Sequence, residues 1–223
     1  MNGRYSRNMP ALSAEECAVL GQKHVCVVGC GGLGGFLIEI LARIGVGAMT
    51  VVDGDVFDVT NLNRQLLCEE TLLGTKKAEA AAARVSKINS DVKIKAVTEF
   101  LTMENGSQLL EDCDLVIDAL DNIDSRRILA AVCAKKDLFL VHGAIGGWFA
   151  QITVVAPGSG VLNKLYPPKA QVPNKGNPSF TPAVCASIQA TEAVKLLCGK
   201  PSTLLDKLLL IDLRTLEFTK INL

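Results

Sequence analysis

The chain has 223 residues, which is long enough to bury a full hydrophobic core. About half of the residues are hydrophobic and a fifth are charged, with 23 basic and 23 acidic side chains. This composition excludes a disordered chain, and the neutral balance argues against a nucleic-acid-binding protein, which normally needs a basic excess.

The N-terminal residues 1–10 are polar and are not followed by an apolar stretch, so they are unlike a signal peptide. No apolar run is long and uninterrupted enough to span a bilayer. The chain has eight cysteines, none of them in a C-x-x-C pair, and most lie within apolar runs. We therefore expect a cytoplasmic protein with reduced thiols and no membrane association.

Strands and helices are predicted to alternate over the first two thirds of the chain. Ser13 and Glu16 have the spacing of a capping box, which indicates a short helix that ends near Gly21. The alternation predicts a Rossmann-like, doubly wound α/β fold with a mostly parallel sheet. In chain order, the elements are strand 24–29, helix 33–44, strand 48–53, helix 76–89, strand 92–98, helix 103–111, strand 113–118, helix 123–136 and strands 138–142 and 149–156.

The last third of the chain has a different pattern. Residues 157–181 contain five of the eight prolines and are predicted to form a crossover loop, before a helix over 182–198 and strands 207–212 and 215–222. These two strands predict an antiparallel C-terminal extension. We expect one domain over residues 1–223, with residues 1–22 forming an arm and the first helix.

The predicted crossover loop lies in a stretch without acidic residues. This stretch runs from Leu138 to Thr191, and the loop itself contains Lys164, Lys169 and Lys175. Long loops within compact domains are uncommon and are usually functional or disordered. The loop is therefore either a solvated connection or a clamp over an acidic ligand.

A glycine-rich loop joins the first predicted strand to its helix and contains Gly29, Gly31, Gly32 and Gly34. Without side chains the backbone can approach a phosphate, and the helix N-terminus offers free N–H groups. Asp53 ends the next strand, where an acidic side chain commonly accepts hydrogen bonds from a ribose. This pattern predicts a nucleotide site without separating ATP from a nicotinamide cofactor.

The residues after the second strand favour ATP. Asp55, Asn61 and Arg64 follow the C-terminal end of that strand, which is where ligands bind in open α/β sheets. Lys76 and Lys77 lie in the first turn of a predicted helix, where cations oppose the helix dipole. A bound polyphosphate would reverse this penalty, although solvation alone is a reasonable explanation for Lys76.

A pair of acidic residues follows another strand at the same rim of the sheet. Asp118 and Asp121 could place a carboxylate beside bound phosphates, where it would hold Mg²⁺. The alternative is a structural role, because Asp121, Asn122 or Asp124 can each cap the following helix. Asp118 can likewise serve the turn between the strand and the helix.

Six segments in order resemble the HesA/MoeB/ThiF superfamily, the bacterial relatives of the ubiquitin-activating enzymes. They are RYSRN at 4–8, GCGGLGG at 29–35, VVDGDVFDVTNLNRQ at 51–65, GTKKAEA at 74–80, DALDN at 118–122 and SIQATEAVKLL at 187–197. Each segment alone is a weak signal, whereas all six at this spacing are highly specific. The resemblance covers nearly the whole chain.

The resemblance implies an ATP-dependent adenylyltransferase that activates the C-terminal glycine carboxylate of a ubiquitin-like sulfur-carrier protein with a Gly-Gly end. It assigns Asp53 to the ribose, and Asn61, Arg64 and Lys77 to the phosphates, where the two cations would stabilise the departing pyrophosphate. It also assigns Asp121 to Mg²⁺. Arg7 resembles an arginine that reaches the ATP of the other subunit in a two-fold homodimer.

The chain departs from the family pattern at two places. Many relatives hold zinc with two C-x-x-C pairs, and since this chain has none, we expect no zinc. Many also carry a cysteine in the crossover loop, but residues 157–182 contain none. Cys185 follows closely, yet it lies among small and apolar residues, which favours a buried structural cysteine.

Three alternative functions remain open from the sequence. The carboxylate could belong to a modified tRNA nucleoside, although the neutral charge makes this weaker. The chain could also bind a carrier or nucleotide without turnover, but the full set of polar site residues argues against that. A nicotinamide-dependent dehydrogenase is the weakest alternative, because it has less need for the additional cations.

Overall fold

The computed structural model describes residues 3–170 and 176–223. The helices are α1 (Ala14–Leu20), α2 (Gly32–Ile44), α3 (Lys77–Ile88), α4 (Gly106–Leu109), α5 (Ile123–Lys135), α6 (Val161–Leu165) and α7 (Phe180–Leu197). The strands are β1 (His24–Val28), β2 (Ala48–Val52), β3 (Lys93–Val97), β4 (Leu115–Asp118), β5 (Leu140–Gly146), β6 (Phe149–Val155), β7 (Lys207–Asp212) and β8 (Glu217–Asn222). None of the described helices is long and apolar enough to cross a membrane.

The strands form one eight-stranded sheet with the order β3-β2-β1-β4-β5-β6-β7-β8. The first five strands in that order are parallel, while β6, β7 and β8 are added antiparallel. The predicted Rossmann-like fold with an antiparallel C-terminal extension is confirmed. Because the strand order reverses between β1 and β4, their carboxyl ends leave a crevice where α/β proteins bind ligands.

Helices pack on both faces of the sheet, and β1 shows why. Val25 and Val27 face one helical layer, formed mainly by α2, α3 and α7, while Cys26 and Val28 face the layer of α4, α5 and α6. Successive strand residues point to opposite faces, so an apolar run buried on both sides is typical of a central parallel strand. The two layers leave only the strand ends for a polar site.

The prediction of a crossover loop over 157–181 is partly wrong. Gly160 adopts a left-handed conformation (φ 70°) that starts α6, and α7 already begins at Phe180. Helix α6 forms because Val161 and Leu162 are buried against the second core layer, together with Tyr166 after it. Lys164 and Lys169 are exposed, while Lys175 lies outside the described residues.

The predicted helix over 103–111 is also shorter in the structure. The Thr102 hydroxyl accepts hydrogen bonds from the N–H groups of Glu104 and Asn105, and the Asn105 side chain accepts one from the Thr102 N–H. These bonds satisfy the backbone N–H groups of a turn that precedes Gly106, where regular helix begins. Regular helix is therefore limited to α4.

Candidate active site

A polar cavity of about 320 Å³ lies at the carboxyl ends of β1, β2 and β4, in the crevice where the strand order reverses. Its size is in the range of small-molecule sites. Eight of the predicted site residues line it, namely Gly29, Gly31, Gly32, Asp53, Asp55, Arg64, Lys77 and Asp121. These residues come from four separate segments, so the fold brings together motifs that are up to 92 positions apart in sequence.

The glycine loop is tightly packed and could not accept side chains at two positions. A Cβ on Gly29, which has φ +99°, would lie 2.5 Å from the Ala119 carbonyl oxygen. A Cβ on Gly34 would lie 1.8 Å from the Gly29 carbonyl oxygen. Gly31 and Gly32 instead line the cavity at the start of α2, where backbone N–H groups and the helix dipole favour a phosphate.

Asp53 fixes the glycine loop to the end of β2. One carboxylate oxygen accepts a hydrogen bond from the Cys30 N–H at 2.7 Å, and the other accepts one from the Asp55 N–H at 2.9 Å. Each carboxylate oxygen has a second lone pair available to a ligand. Asp53 can therefore hold the loop and still accept a hydrogen bond from a hydroxyl group in the cavity.

Two cationic side chains reach the cavity from the segments that follow β2. Lys77, the first residue of α3, is only 7% exposed, and its Nζ lies 3.2 Å from Asp55. Arg64 donates from Nη1 to the Thr60 carbonyl oxygen at 2.8 Å and to Asn63 Oδ1 at 2.9 Å. These contacts leave other guanidinium N–H groups available, since arginine has five donors. The cavity is therefore suited to an anion.

The acidic residues at the end of β4 and directly after it have separate roles in the structure. Asp121 is exposed at the rim, where Oδ1 accepts a hydrogen bond from Asn122 at 3.3 Å. Asn122 is the residue that caps α5, because its side chain accepts a hydrogen bond from the Ser125 N–H at 2.9 Å. Asp118 is fully buried and accepts one from the Leu120 N–H at 2.9 Å, as expected for a turn residue.

Three predicted site residues do not line the cavity. Gly34 packs against the glycine loop, and Asn61 uses its side chain to accept a hydrogen bond from the Asp58 N–H at 3.1 Å. Arg7 is exposed in the 3-10 helix Gly3–Asn8. That segment docks at the C-terminal ends of α2 and α3, which lie at the amino ends of the strands, opposite the cavity. Arg7 cannot reach the cavity of its own chain.

Orphan polar atoms mark the same cavity independently of the motifs. Among the described residues, three buried side-chain nitrogen or oxygen atoms have no hydrogen-bond partner, namely Gln65 Oε1, Arg126 Nε and Asn177 Oδ1. All three residues line this cavity. Buried polar atoms normally have partners, so their concentration here fits a site that binds a polar ligand. Gln65 stands next to Arg64 in the NLNRQ segment, whereas nothing in the local sequence marks Arg126 or Asn177.

A second cavity of about 400 Å³ adjoins the first one. It lies against β5, β6, β7 and β8 and is more apolar, with Phe149 and Leu210 among its walls. Arg126, Ile145 and Gly146 line both cavities. A ligand in the second cavity would therefore meet a ligand in the first one beside these three residues.

Cys185 has the surroundings of a structural thiol. It is a fully buried residue of α7, with its Sγ 3.9 Å from Gln189 Oε1 and 4.0 Å from the Gln151 carbonyl oxygen. Burial raises the pKa of this thiol well above its ordinary value, so the reactive thiolate is disfavoured. Within residues 3–170 and 176–223, no three histidine, cysteine or acidic side chains are grouped closely enough to hold a metal ion.

The ThiF family profile matches residues 5–223. The chain belongs to the ThiF family. It is 37% identical to the SAMP-activating enzyme E1 of Haloferax volcanii, over 96% of this chain and 83% of that protein. It is 33% identical to the heterocyst protein HesA of Trichormus variabilis, over 97% of this chain and 83% of the relative. The predicted superfamily is confirmed.

The chain also resembles a relative about twice its length and two proteins with solved structures. The chain is 34% identical to the maize adenylyltransferase and sulfurtransferase MOCS3-1 over 94% of its length, but it spans only 47% of that protein. E. coli MccB with ATP superposes with a TM-score of 0.81 at 21% identity, covering all of this chain and 72% of MccB, which supports the fold. E. coli tRNA N6-threonylcarbamoyladenosine dehydratase, TcdA, superposes with a TM-score of 0.75 at 26% identity, covering 88% and 94%.

Proposed function

We propose that this chain is an ATP-dependent adenylyltransferase that activates the C-terminal glycine carboxylate of a small ubiquitin-like sulfur-carrier protein. The observation that carries the proposal is the cavity between β1 and β4, where a glycine loop, Arg64, Lys77 and Asp121 converge. The family and the relatives named as an activating enzyme and as adenylyltransferases support the reaction class.

The polar groups of the cavity fit the parts of ATP. The free N–H groups at the start of α2, near Gly31 and Gly32, suit phosphate oxygens. Asp53 is at the position where an acidic side chain accepts hydrogen bonds from a ribose. Arg64 and Lys77 would neutralise the phosphates, and Lys77 would exchange its contact with Asp55 for a phosphate oxygen.

In the proposed reaction one bond to the α-phosphorus of ATP forms while another breaks. A carboxylate oxygen of the carrier attacks the phosphorus, the bond to the bridging oxygen breaks, and pyrophosphate leaves with the electron pair. Negative charge grows on the leaving group, so the two cations stabilise the transition state more than the bound substrate. Positioning supplies much of the remaining rate increase, since such transfers need little covalent help from the protein.

The second cavity supports the binding of the carrier's tail. It adjoins the first cavity, where ATP would bind and which we call the nucleotide cavity, at Arg126, Ile145 and Gly146. A Gly-Gly tail lying in the second cavity would therefore bring the carrier's carboxylate to the phosphates. A tail without side chains would pass most easily between the two cavities. The absence of a cysteine at 157–182 and the burial of Cys185 indicate that a sulfur step would need another donor.

Asp121 fits a magnesium site better than a zinc site. Among the described residues, its exposed carboxylate accepts a hydrogen bond from Asn122 and belongs to no group of three histidine, cysteine or acidic side chains that could hold a metal ion. Mg²⁺ commonly uses one or two carboxylates together with phosphate oxygens and water. When bound, Mg²⁺ would neutralise phosphate charge during the transfer. The absence of zinc and the cytoplasmic location stay predictions from the sequence.

We infer that two copies form a homodimer in which Arg7 of one copy serves the cavity of the other. The arm is anchored at the amino ends of the strands, opposite the cavity at their carboxyl ends, which supports a role in a different subunit. An arginine supplied in this way would add a further cation to the phosphates. It would also make each site depend on assembly of the dimer.

The proposed reaction is tested by carrier-dependent exchange of labelled pyrophosphate into ATP. We expect Arg64→Ala and Lys77→Ala to lower the exchange rate about 100-fold or more, because each removes a charge that stabilises the leaving group. Circular dichroism and thermal unfolding establish that both variants fold. Exchange at the wild-type rate in both folded variants would overturn these role assignments.

The similarity to TcdA supports one alternative substrate, a carboxylate on a modified tRNA nucleoside. The same assay separates the two substrates. Exchange that depends on a Gly-Gly carrier supports our proposal. Exchange that requires tRNA bearing such a carboxylate, and that ignores the carrier, would favour the tRNA reaction. If neither the carrier nor the tRNA supports exchange, the chain would be a protein that binds a carrier or a nucleotide without turnover.

A further inference from the structure

A chain of buried polar side chains connects Tyr166, the residue directly after α6, to the turn that carries Asp121. Tyr166, which follows α6, is 7% exposed, and its hydroxyl is surrounded by three partners. Gln151 Nε2 lies at 2.6 Å, His142 Nε2 at 3.1 Å and Arg126 Nη1 at 3.2 Å. The partners come from β6, β5 and α5, so one hydroxyl joins three elements to the end of α6.

Counting donors and acceptors fixes the direction of each bond. The amide of Gln151 and the guanidinium of Arg126 are donors, so they occupy both lone pairs of the Tyr166 oxygen. The phenol proton is then donated to His142 Nε2. The other ring nitrogen of His142 carries its proton and donates to Asp118 Oδ2 at 2.6 Å. His142 is therefore neutral, and the charge opposite Asp118 belongs to Arg126.

Arg126 carries the connection to the active-site turn. It is 3% exposed, its Nε lies 3.9 Å from Asp118, and its Nη2 donates to the Leu120 carbonyl oxygen at 2.7 Å. The N–H of Leu120 donates to Asp118 at 2.9 Å. Leu120 is thus held at both ends of its backbone, directly before Asp121. A shift of Arg126 would move the Asp121 carboxylate relative to the phosphates.

Tyr166 also lies where an acyl donor would pass. Tyr166, Gln151 and Arg126 all line the second cavity, and Arg126 lines the nucleotide cavity as well. A tail that occupies the second cavity would contact the same side chains that hold Leu120. The hydrogen-bonded side chains therefore connect the second cavity, where the tail would bind, with the part of the first cavity where the phosphates would bind.

We propose that Tyr166 and Arg126 are positioning residues for the transfer, which hold Leu120 and thereby the Asp121 carboxylate in register with the phosphates and with the bound tail. This inference rests on the proposed adenylation. Neither residue has to touch the reacting atoms. Their effect is expected in the rate of the chemical step more than in the binding of ATP.

The test compares Tyr166→Phe with Arg127→Ala. Arg127 donates from Nη2 to the carbonyl oxygens of Tyr166 and Pro167, at 2.8 and 3.0 Å, so it anchors the same segment without contacting Leu120 or Asp118. We expect Tyr166→Phe to lower kcat for carrier-dependent exchange about tenfold or more, with the KM for ATP changed by less than about threefold. Arg127→Ala is expected to stay near wild type in both constants.

A second variant guards against misfolding. Arg126→Lys keeps a positive charge near Asp118 but cannot hold both Tyr166 and the Leu120 carbonyl oxygen, so the same loss of kcat is expected. Wild-type kcat in both Tyr166→Phe and Arg126→Lys would overturn the proposal. An equal loss in Arg127→Ala would also overturn it, because the effect would then come from general anchoring of the segment.

A second measurement needs no carrier and separates this inference from the proposed function. The affinity of the ATP-bound protein for Mn²⁺, used as a probe and followed by electron paramagnetic resonance, is expected to fall about tenfold in Tyr166→Phe and Arg126→Lys. Arg127→Ala is expected to keep the wild-type affinity. If the wild-type protein shows no carrier-dependent exchange, the proposed function fails, while unchanged Mn²⁺ affinity in both variants overturns the positioning role.

Discussion

At the scale of single residues, Gly34 shows how a glycine serves a ligand site without touching the ligand. Its Cα faces the Gly29 carbonyl oxygen so closely that any Cβ would overlap it. The residue therefore permits the packing of α2 against the loop, which in turn presents Gly31 and Gly32 to the cavity. The sequence marks all of these glycines alike, and only the three-dimensional contacts separate them.

We expect Gly34→Ala to lower both stability and ATP affinity. The Cβ would lie 1.8 Å from the Gly29 oxygen, so the loop or the helix has to move, at a cost of about 1–3 kcal/mol or more. Urea unfolding and calorimetric titration with ATP measure the two effects. Gly21→Ala is the matched control, since its Cβ would meet the nearest atoms at ordinary distances of 3.5 and 3.6 Å. Wild-type stability in Gly34→Ala would contradict the packing argument.

At the scale of elements, the neighbouring strands β4 and β5 are joined by a buried side-chain bond as well as by their backbones. Asp118 and His142 are opposite each other in the parallel register, and both are fully buried. Burial lowers the pKa of His142 more than the hydrogen bond to Asp118 raises it. The imidazole is therefore neutral in the folded protein at neutral pH.

This arrangement predicts a loss of stability below about pH 6.5. In that range the unfolded state binds a proton at His142 that the folded state does not bind, so the free energy of unfolding falls with pH, by up to about 1.4 kcal/mol per unit. His142→Gln keeps one donor and one acceptor but cannot titrate. Urea unfolding at pH 7.5 and 5.5 is expected to show a smaller loss in the variant.

His24 provides an internal control for this measurement. The chain has two histidines, and His24 is present in both the wild-type protein and His142→Gln. The difference in stability loss between these two proteins therefore reports on His142. Equal losses of stability in both proteins between pH 7.5 and 5.5 would contradict the prediction.

The elements also show how far the sequence can be interpreted. Most strands and helices of the α/β core could be predicted because buried parallel strands are continuous apolar runs between helical patterns. Helix α6 was not predicted, because its stability comes from burying Val161 and Leu162 against distant elements. The prolines around it indicate a loop by local propensity alone.

In the candidate site, the residues that stand in local motifs could be predicted, whereas those that depend on distant partners could not. Arg64, Lys77 and Asp121 stand in motifs and are found at one cavity. Arg126 has no local signal, because its partner Tyr166 lies 40 positions away and the burial of its charge depends on Asp118. The second cavity depends on the pairing of β5 to β8, which no single segment encodes.

At the scale of the whole molecule, the N-terminal arm and the cavity lie at opposite ends of the parallel strands. The Tyr5 ring packs on Gly45, and its hydroxyl accepts a hydrogen bond from Asn89 at 2.8 Å. Arg4 donates to the Ile88 carbonyl oxygen at 2.6 Å. This carbonyl group lies in the last turn of α3, where carbonyl groups have no partner within the helix. These contacts fix the arm at the amino ends of the strands.

The arrangement predicts complementation between two inactive variants. Arg7→Ala keeps its own cavity but lacks the arm's cation, whereas Lys77→Ala keeps the arm but has a defective cavity. In a mixed dimer, the intact cavity of the first chain would receive Arg7 from the second. Random exchange of subunits makes half of the dimers mixed, each with one intact site, so about a quarter of the wild-type exchange rate is expected.

The measurement is pyrophosphate exchange after the two purified variants are unfolded together, refolded and compared with each variant treated alone. Size-exclusion chromatography with light scattering reports whether dimers form. Because an arm anchored opposite its own cavity cannot complete a site within one chain, activity should return only in the mixture. A mixture that forms mixed dimers yet stays as inactive as its components would show that Arg7 does not act between subunits. An Arg7→Ala variant that is fully active alone would remove the arm from the reaction.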